Sequence, residues 1–386
     1  MRSFKQLLTA SAAVLALATS AQAEIRIGFV TSLSGVASSI GIPYGKGINA
    51  AYEYRSEISG EKIKLIQLDD GSDPSAATRN ARKLIEEDKV DVLIGTATVP
   101  STMAMAAVAK ELKVPFVALS PVQPNAVLPA GSEQWIITVP QPPTLLVSVV
   151  ADRIARDGVK NLGYIGYSDA WGDLVYGGAT AAEANGKFKV TSNERFARTD
   201  TSVTGQILKV MSSKPDGVLI GASGTQGALP PLTLGERGYK GKIYGTVPLV
   251  NPDFVRVGGK AVEGIEVSAG PIVVAEQLPD GHFAKKIGLA FRAAYEKANG
   301  ATTTDVFSAY SFDGWLLTAN AAEQVLKTTK PGTPEFRKAL MDALMNTKEL
   351  AGTHAVYNFK PGAVYGVDNR SLVIVKLVNG KWTYAP

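Results

Sequence analysis

The stretch KIKLIQLDDGSDPSAATRNARKLIEEDKVDVLIG, residues 62–95, decides the fold class of this chain. Its two apolar ends, 62–68 and 90–94, each predict a strand. Between them, Asp73 followed by Pro74 is typical of a helix N-cap and the first residue of a helix. Two strands joined by a helix indicate a β-α-β unit, and such a unit implies a parallel sheet.

The same alternation of strands and helices continues on both sides of this unit. Further strands are predicted at 25–30, 115–119, 161–167, 188–194, 217–221 and 242–246, with helices between them. The proline-rich break at 140–143 divides the pattern into two α/β series of similar length. We therefore predict an α/β fold with two doubly wound parallel-sheet lobes.

The last third of the chain has a different character. Long helices are predicted at 282–299, 308–327 and 334–346, and closing strands at 356–359 and 371–378. If these helices return to the first lobe and the closing strands join the second, the chain crosses between the lobes three times.

This connectivity predicts the domain organisation. We expect an N-terminal lobe of residues 24–142 and 271–350, a C-terminal lobe of residues 143–270 and 351–386, and a three-stranded hinge between them. A cleft between two hinged lobes is a common place for a small ligand.

The first 23 residues stand apart from the rest. Arg2 and Lys5 form a positive start, the apolar run 7–18 follows, and Ala21-Gln22-Ala23 matches a cleavage pattern. Together these features predict a secretory signal peptide cleaved after Ala23. The apolar run is shorter than the roughly 18 residues that a membrane-spanning helix needs. Since the chain has no cysteine, neither a disulfide nor a lipid-modified cysteine is expected, and the predicted location is the periplasm.

The chain offers few groups for catalysis, metal binding or nucleic-acid binding. Its two histidines, His282 and His354, have no other histidine or cysteine at metal-ligand spacing, and both are expected at the surface. The stretch 221–225 (GASGT) fails the G-x-S-x-G nucleophile pattern because Thr225 replaces the last glycine. The acidic run 69–73 lacks the glutamate that a calcium loop needs at its twelfth position. We therefore predict no enzyme, no cofactor and no metal site. Because the net charge is only +5 and the chain has no basic run, we also predict no nucleic-acid partner.

Three loops that follow first-lobe strands are small and rich in hydroxyl groups. They are 31–35 (TSLSG), 95–102 (GTATVPST) and 120–124 (SPVQP). Because parallel strands end on the same edge of a sheet, we expect these loops to converge and to leave room for a ligand. The helix start near Ser101 adds free backbone N–H groups and the positive end of a helix dipole, which favour a carboxylate or another anion.

Several segments, in this order and spacing, resemble the type I periplasmic binding proteins of the leucine/isoleucine/valine-binding family. They are IRIGFVTSLSG (25–35), YGKGINAAYEY (44–54), the stretch from 68 to 95, VPFVALSP (114–121) and YSFDGWLLTANA (310–321). The resemblance covers essentially the whole chain after residue 23. It implies a monomeric two-lobed receptor that closes on a small solute and delivers it to the membrane permease subunits of an ATP-driven (ABC) importer.

The resemblance also implies ligand-binding positions. In the amino-acid-binding members of this family, a serine binds the ligand carboxylate at the position where this chain has Val99. An aromatic residue covers the ligand at the position that corresponds to Trp171. The implied set is Ser34, Ile40, Tyr44, Thr98, Val99, Ser101, Thr102, Val122, Gln123, Pro124, Trp171, Ser223, Gly224, Val247 and Leu249.

One departure from the family pattern bears on the ligand. Family members commonly hold the ligand ammonium with an acid in a second-lobe loop, whereas this chain has Thr246-Val247-Pro248-Leu249 there. A buried ammonium without a partner charge costs several kcal/mol. The expected ligand is therefore a small carboxylate with an apolar or aromatic body, similar to benzoate.

Other ligands and roles stay open at this point. A branched-chain or other apolar amino acid is the main alternative, and Asp169, Asp173 or Asp253 would then supply the acid. More remote alternatives are a sensory binding module on the same fold and a secreted hydrolase with Ser223 as its nucleophile.

Overall fold

The computed structural model describes residues 24–385, so the predicted signal peptide and its cleavage after Ala23 lie outside the described residues. The strands are β1 (Ile25–Thr31), β2 (Glu57–Ile58), β3 (Glu61–Asp69), β4 (Val92–Gly95), β5 (Phe116–Ala118), β6 (Ile136–Thr138), β7 (Asn161–Tyr167), β8 (Lys189–Phe196), β9 (Gly217–Gly221), β10 (Lys242–Thr246), β11 (Glu266–Ala269), β12 (Leu350–Ala351), β13 (Val356–Tyr357), β14 (Val373–Val378) and β15 (Lys381–Tyr384). The helices are α1 (Ser38–Tyr54), α2 (Pro74–Glu86), α3 (Val99–Leu112), α4 (Pro124–Val127), α5 (Pro143–Arg156), α6 (Ala170–Ala184), α7 (Thr204–Ser212), α8 (Leu229–Glu236), α9 (Pro252–Gly258), α10 (Phe283–Asn299), α11 (Val306–Val325) and α12 (Pro334–Met345). Across these residues no helix combines the length and the apolar character that crossing a membrane requires.

The first lobe is built on a six-stranded sheet with the order β2-β3-β1-β4-β5-β6. Strands β3, β1, β4, β5 and β6 run parallel, and only β2 pairs antiparallel to its neighbour. The β-α-β unit predicted from residues 62–95 is present as β3, α2 and β4. Asp73 caps α2, since its Oδ1 accepts a hydrogen bond from the Ala76 N–H at 2.6 Å.

The second lobe contains a seven-stranded sheet with the order β15-β14-β11-β10-β9-β7-β8. Strands β11, β10, β9, β7 and β8 are parallel, and the C-terminal hairpin of β14 and β15 adds antiparallel to β11. The predicted fold class, two parallel-sheet α/β lobes, is confirmed.

The long helices of the last third return to the first lobe. Helices α10 and α11 both pack on α1, and α12 lies beside β6. Gly47 of α1 lies against the backbone of Ser308 in α11, and a Cβ at Gly47 would overlap the Ser308 carbonyl oxygen. The absence of a side chain at Gly47 therefore permits the close approach of these two helices.

Part of the chain after residue 350 still contacts the first lobe. Tyr365 forms a parallel bridge with Thr138, and the Tyr365 hydroxyl donates to the Val122 carbonyl oxygen at 2.8 Å. The chain enters the second-lobe sheet only at β14. We therefore propose that 351–366 belong to the first lobe and not, as the sequence suggested, to the second.

The three crossing segments meet around one glutamine. Gln141, in the first crossover, donates through Nε2 to the Ser371 carbonyl oxygen in the third at 2.8 Å. Its Oε1 accepts from the Tyr310 hydroxyl at 2.6 Å. Tyr310 stacks on His354 with ring centroids 3.7 Å apart, and Gly270 of the second crossover lies directly against that imidazole.

His354 is therefore fully buried and does not lie at the surface, as the sequence suggested. Burial lowers the pKa of His354 to about 3, so the imidazole is neutral at physiological pH. Its Nε2 lies 3.0 Å from the Val306 carbonyl oxygen.

A buried carboxylate joins the ends of three first-lobe strands. Asp70, directly after β3, accepts hydrogen bonds from the hydroxyls of Ser32 after β1 (2.7 Å) and Thr96 after β4 (2.5 Å). It also accepts from the Ser72 N–H at 2.9 Å. This carboxylate thus holds together the loops that follow β1, β3 and β4, and the acidic run 69–73 has a structural role.

We predict that Asp70→Ala lowers the free energy of unfolding by at least about 3 kcal/mol, because it leaves two buried hydroxyls and a backbone N–H without their acceptor. Asp73→Ala, which removes only a helix cap, should cost about 1 kcal/mol. Urea unfolding of both variants measures the difference. Equal losses in the two variants would show that Asp70 does not hold the loops.

Candidate ligand-binding site

A cavity lies between the two lobes at the carboxyl ends of their parallel strands. The space between its lining atoms, including the part that is open to solvent, is about 450 Å³. The first lobe contributes Ile40, Tyr44, Ala97, Thr98, Val99, Leu119, Ser120, Pro121, Phe307 and Tyr310, the first crossover contributes Pro140, and the second lobe contributes Leu146, Trp171, Arg198, Ser223, Val247 and Pro248. Both lobes therefore form its walls.

Most of this lining is aromatic or aliphatic. Tyr44 and Phe307 meet edge to face with ring centroids 5.5 Å apart. The Tyr44 hydroxyl donates to the Leu119 carbonyl oxygen at 2.5 Å, and the Tyr310 hydroxyl donates to Gln141. Burial raises the pKa of both tyrosines, so both are neutral. With their hydroxyl protons already engaged, these rings offer mainly apolar surface to a ligand.

Arg198 is the one charged side chain among the described residues that line the cavity. It follows β8, and its guanidinium lies 4.0 Å from the ring centroid of Tyr167, a cation–π distance. Nη1 donates to the Ser223 hydroxyl at 3.3 Å, and Nε donates to Asp169 Oδ2 at 2.6 Å. The guanidinium is thus fixed on three sides and presents a positive group to the cavity.

The acids that could have held a ligand ammonium are each paired with an arginine. Asp169 pairs with Arg198, and Asp173 pairs with Arg195 at 3.1 Å. Asp253 pairs with Arg256 at 2.9 Å. Within the described chain, none of the three lines the cavity, and neither does any other aspartate or glutamate.

One polar group of the lining is buried without a hydrogen-bond partner in residues 24–385. It is the Nε1 of Trp171, a residue that is only 3% exposed. Because buried polar groups are normally paired, this N–H is expected to contact a ligand or water.

The start of α3 is a weaker anion site than the sequence suggested. Thr98 Oγ1 already accepts from the Ser101 N–H at 3.2 Å, and the Thr102 N–H donates to the Thr98 carbonyl oxygen at 2.9 Å. Pro100 has no N–H to offer. Since the first-turn donors are mostly used, Arg198 is the stronger anion-binding group of the cavity.

Seven of the fifteen residues implied by the resemblance line this cavity. They are Ile40, Tyr44, Thr98, Val99, Trp171, Ser223 and Val247. They come from α1, the loop before α3 and the loops after β7, β9 and β10, so the structure brings both lobes' implied positions together.

The other eight do not line it: Ser34, Ser101, Thr102, Val122, Gln123, Pro124, Gly224 and Leu249. Ser34 is exposed and donates to Asp69, while Gln123 and Pro124 are exposed at the start of α4. Val122 packs in the core on the other face of the first sheet.

The remaining four of these eight lie close behind the lining. Ser101 and Thr102 are buried in the first turn of α3. Leu249 is fully buried and fills the space beside Gly245. Gly224 lies against Ser39 of the opposite lobe, at the contact between the lobes.

Sequence reasoning missed Arg198 and the aromatic pair Phe307 and Tyr310. The position of Arg198 after a parallel strand could have indicated it, because ligands favour the carboxyl ends of such strands. We applied this rule only to strands of the first lobe. Phe307 and Tyr310 had no such signal, since they reach the cavity from α11, far along the chain from the first-lobe loops.

The lobes touch each other at the edge of the cavity. Asn251 Nδ2, in the second lobe, donates to the Ser39 carbonyl oxygen in the first at 2.6 Å. Asn251 Oδ1 caps α9 by accepting from the N–H groups of Asp253 and Phe254. The two lobes are therefore joined at this edge by a direct hydrogen bond.

Comparison with known proteins places these features in context. A family profile described as periplasmic binding protein matches residues 24–370. The structure of an extracellular ligand-binding receptor from Rhodopseudomonas palustris HaA2 is 39% identical, with 94% of this chain and 100% of that chain covered and a TM-score of 0.89. The Leu/Ile/Val-binding protein BraC3 of Rhizobium johnstonii is 24% identical over 358 residues, 90% of each chain.

A further solved structure was determined with a bound ligand. It is the solute-binding protein of an ABC transporter from Rhodopseudomonas palustris in complex with benzoate. It is 21% identical, covers 94% of this chain and 95% of its own, and has a TM-score of 0.80. At that identity the likeness concerns the fold.

We predict that Asn251→Asp shifts the lobes toward an open arrangement, because aspartate keeps the cap of α9 and loses the donor to Ser39. The radius of gyration from small-angle X-ray scattering should rise above that of the unchanged protein. Asn358→Asp makes the same substitution within one lobe, where Nδ2 donates to Glu349, and should leave the radius unchanged. A wild-type radius in Asn251→Asp would contradict the role of this bond.

Proposed function

Because the chain belongs to the periplasmic binding protein family, whose members are solute-binding receptors and not enzymes, we propose that its solute is a small carboxylate with an apolar or aromatic body. Benzoate is the simplest example of that class. The receptor would close its lobes on the solute in the periplasm and deliver it to the permease subunits of an ABC importer.

The observation that carries this proposal is the position of Arg198 in a cavity whose lining is mostly apolar. A guanidinium offers paired N–H donors that match the two oxygens of a carboxylate. The aromatic side chains Tyr44, Phe307, Tyr310 and Trp171 surround the same space and fit a flat or branched apolar body. A ligand with one anionic end and an apolar remainder satisfies both features.

An apolar amino acid is the alternative, and the name of the Rhizobium relative favours it. Its carboxylate could bind Arg198 as well. Its ammonium, however, would enter a cavity whose described lining contains no carboxylate, and Asp169 already accepts from Arg198 and from two backbone N–H groups. The desolvation of an unpaired ammonium therefore opposes this ligand.

Closure on the ligand follows from the two-sided lining. Arg198, Trp171 and Ser223 lie on the second lobe, and Tyr44, Thr98 and Phe307 lie on the first. A ligand that touches both sets gains its full contact area only when the lobes are closed. Binding should therefore shift the open–closed equilibrium toward the closed form.

We predict that benzoate and ring-substituted benzoates stabilise the protein in a thermal-shift assay more than leucine, isoleucine or valine do. A ligand at about 100 times its dissociation constant adds roughly 2.7 kcal/mol to the free energy of unfolding. Stabilisation by the three amino acids alone would contradict the proposed ligand class.

Arg198→Ala should weaken the binding of such a carboxylate at least about 100-fold in isothermal titration calorimetry, because it removes the charged donors. Arg195→Ala is the matched control. Arg195 lies on β8, three residues before Arg198, but it stacks on Tyr164 and Tyr176 and does not line the cavity. An equal effect of the two variants would remove Arg198 from the site.

Trp171→Ala should weaken the same carboxylate about tenfold or more while the protein stays folded, since it removes a cavity wall and an unpaired N–H donor. Trp382→Ala, at a half-buried tryptophan of β15 outside the cavity, is the control. Calorimetry measures affinity, and circular dichroism checks the fold. Unchanged affinity in Trp171→Ala would place the ligand elsewhere.

A further inference from the structure

We propose that Asp169 sets the charge of the ligand's head group, although Asp169 does not line the cavity. This inference rests on the proposed function, because it takes Arg198 to be the group that receives the ligand's anionic end. Its consequence is a site that accepts a head group with one negative charge and discriminates against one with two.

Arg198 and Asp169 form an ion pair whose two charges cancel. Arg198 Nε and Asp169 Oδ2 are 2.6 Å apart, and the two side chains are only 17% and 21% exposed. Asp169 lies behind the guanidinium as seen from the cavity, which Arg198 lines and Asp169 does not. The cavity therefore faces the positive end of a dipole, whose attraction falls off faster with distance than that of a free charge.

The guanidinium of Arg198 keeps part of its N–H donors for a ligand. Asp169 occupies Nε, and Nη1 makes only a long bond of 3.3 Å to the Ser223 hydroxyl. Among residues 24–385, none accepts a hydrogen bond from Nη2. The free edge of the guanidinium thus suits one carboxylate bound through two oxygens.

Among residues 24–385, no cation other than Arg198 lines the cavity. The neighbouring Arg195 pairs with Asp173 and stacks on Tyr164 and Tyr176. His354, behind Tyr310, is neutral. A single negative charge on the ligand brings the described site to a net charge of −1, and a double charge brings it to −2 beside an ion pair whose side chains are mostly buried. The second charge has no partner, so its desolvation is uncompensated.

Asp169 also positions a second ligand-facing group. Its Oδ1 accepts from the Trp171 N–H at 2.9 Å and from the Gly172 N–H at 3.3 Å. The same carboxylate therefore caps the helix that carries Trp171 and fixes Arg198. Asp169 acts through these two residues, so it is a positioning and specificity residue and not a ligand contact.

Asp169→Asn separates the charge from the cap. Asparagine keeps an oxygen for the Trp171 N–H but carries no charge and cannot accept from Arg198 through its amide nitrogen. Asp173→Asn is the matched control, since it breaks the neighbouring ion pair on the same helix outside the cavity. Benzenesulfonate and, at mildly alkaline pH, phenylphosphonate are the probes. Both have tetrahedral head groups, but the first carries one negative charge and the second carries two.

Calorimetry should show that the wild type and Asp173→Asn bind benzenesulfonate at least about tenfold more tightly than phenylphosphonate. In Asp169→Asn this preference should fall at least about tenfold. If Asp169 has a purely structural role, Asp169→Asn should weaken the binding of both probes equally. The preference for benzenesulfonate over phenylphosphonate would then be unchanged, and that result would overturn the inference.

Benzoate, titrated into the same three proteins, separates the two proposals. If the wild type binds benzoate but Asp169→Asn leaves the preference unchanged, the role of Asp169 is wrong and the ligand class stands. If the wild type binds neither benzoate nor the two probes, the ligand class is wrong, and the inference about Asp169 falls with it.

Discussion

The loops that follow parallel strands all lie at one edge of the sheet. In this molecule the corresponding edges of two such sheets face each other across a cleft. Thr98, Ser120, Trp171, Arg198, Ser223 and Val247 each follow a different parallel strand, and all six line the same cavity. The loops could vary in sequence without changing this convergence, because the strand ends fix their position. Asp70 reinforces the constraint in the first lobe by joining the loops after three strands through hydrogen bonds. The residues in these loops therefore determine much of the chemistry of the site, and the two sheets determine where the site lies.

The sequence predicted what local patterns encode. Apolar runs and a capped helix predicted the β-α-β units, and the order of motifs predicted the family, which the profile match confirms. The helical pattern of the sequence begins only at Gly47, whereas α1 begins at Ser38, nine residues earlier. Gly41, Pro43 and Gly45 disfavour a helix locally, and packing against α10 and α11 overrides that preference. The bridge between Tyr365 and Thr138 and the stacking of the buried His354 on Tyr310 join residues that are distant in sequence, so no local pattern marked them.

The candidate site was partly predictable for the same reason. Family positions such as Tyr44 and Trp171 could be placed by resemblance, and the absence of an acid near Val247 predicted a cavity without a carboxylate. The residue that supplies the positive charge, Arg198, departs from what the resemblance described and had to come from the geometry. The same geometry connects the site to the hinge, since the cavity residue Tyr310 bonds to Gln141, which in turn bonds to the third crossover at Ser371. A hydrogen-bonded path thus joins the cavity lining to the segments that connect the lobes.

The central claim is that Arg198 receives the anionic end of an aromatic or apolar carboxylate between the two lobes. A crystal structure of the protein grown with a bromobenzoate tests it most directly, because anomalous scattering from the bromine locates and orients the ring without ambiguity. The account predicts the carboxylate within hydrogen-bond distance of the Arg198 guanidinium and the brominated ring among Tyr44, Trp171, Phe307 and Tyr310. A carboxylate bound at the start of α3 with Arg198 still engaged only by Asp169 and Ser223, or a cavity without bromine, would contradict it.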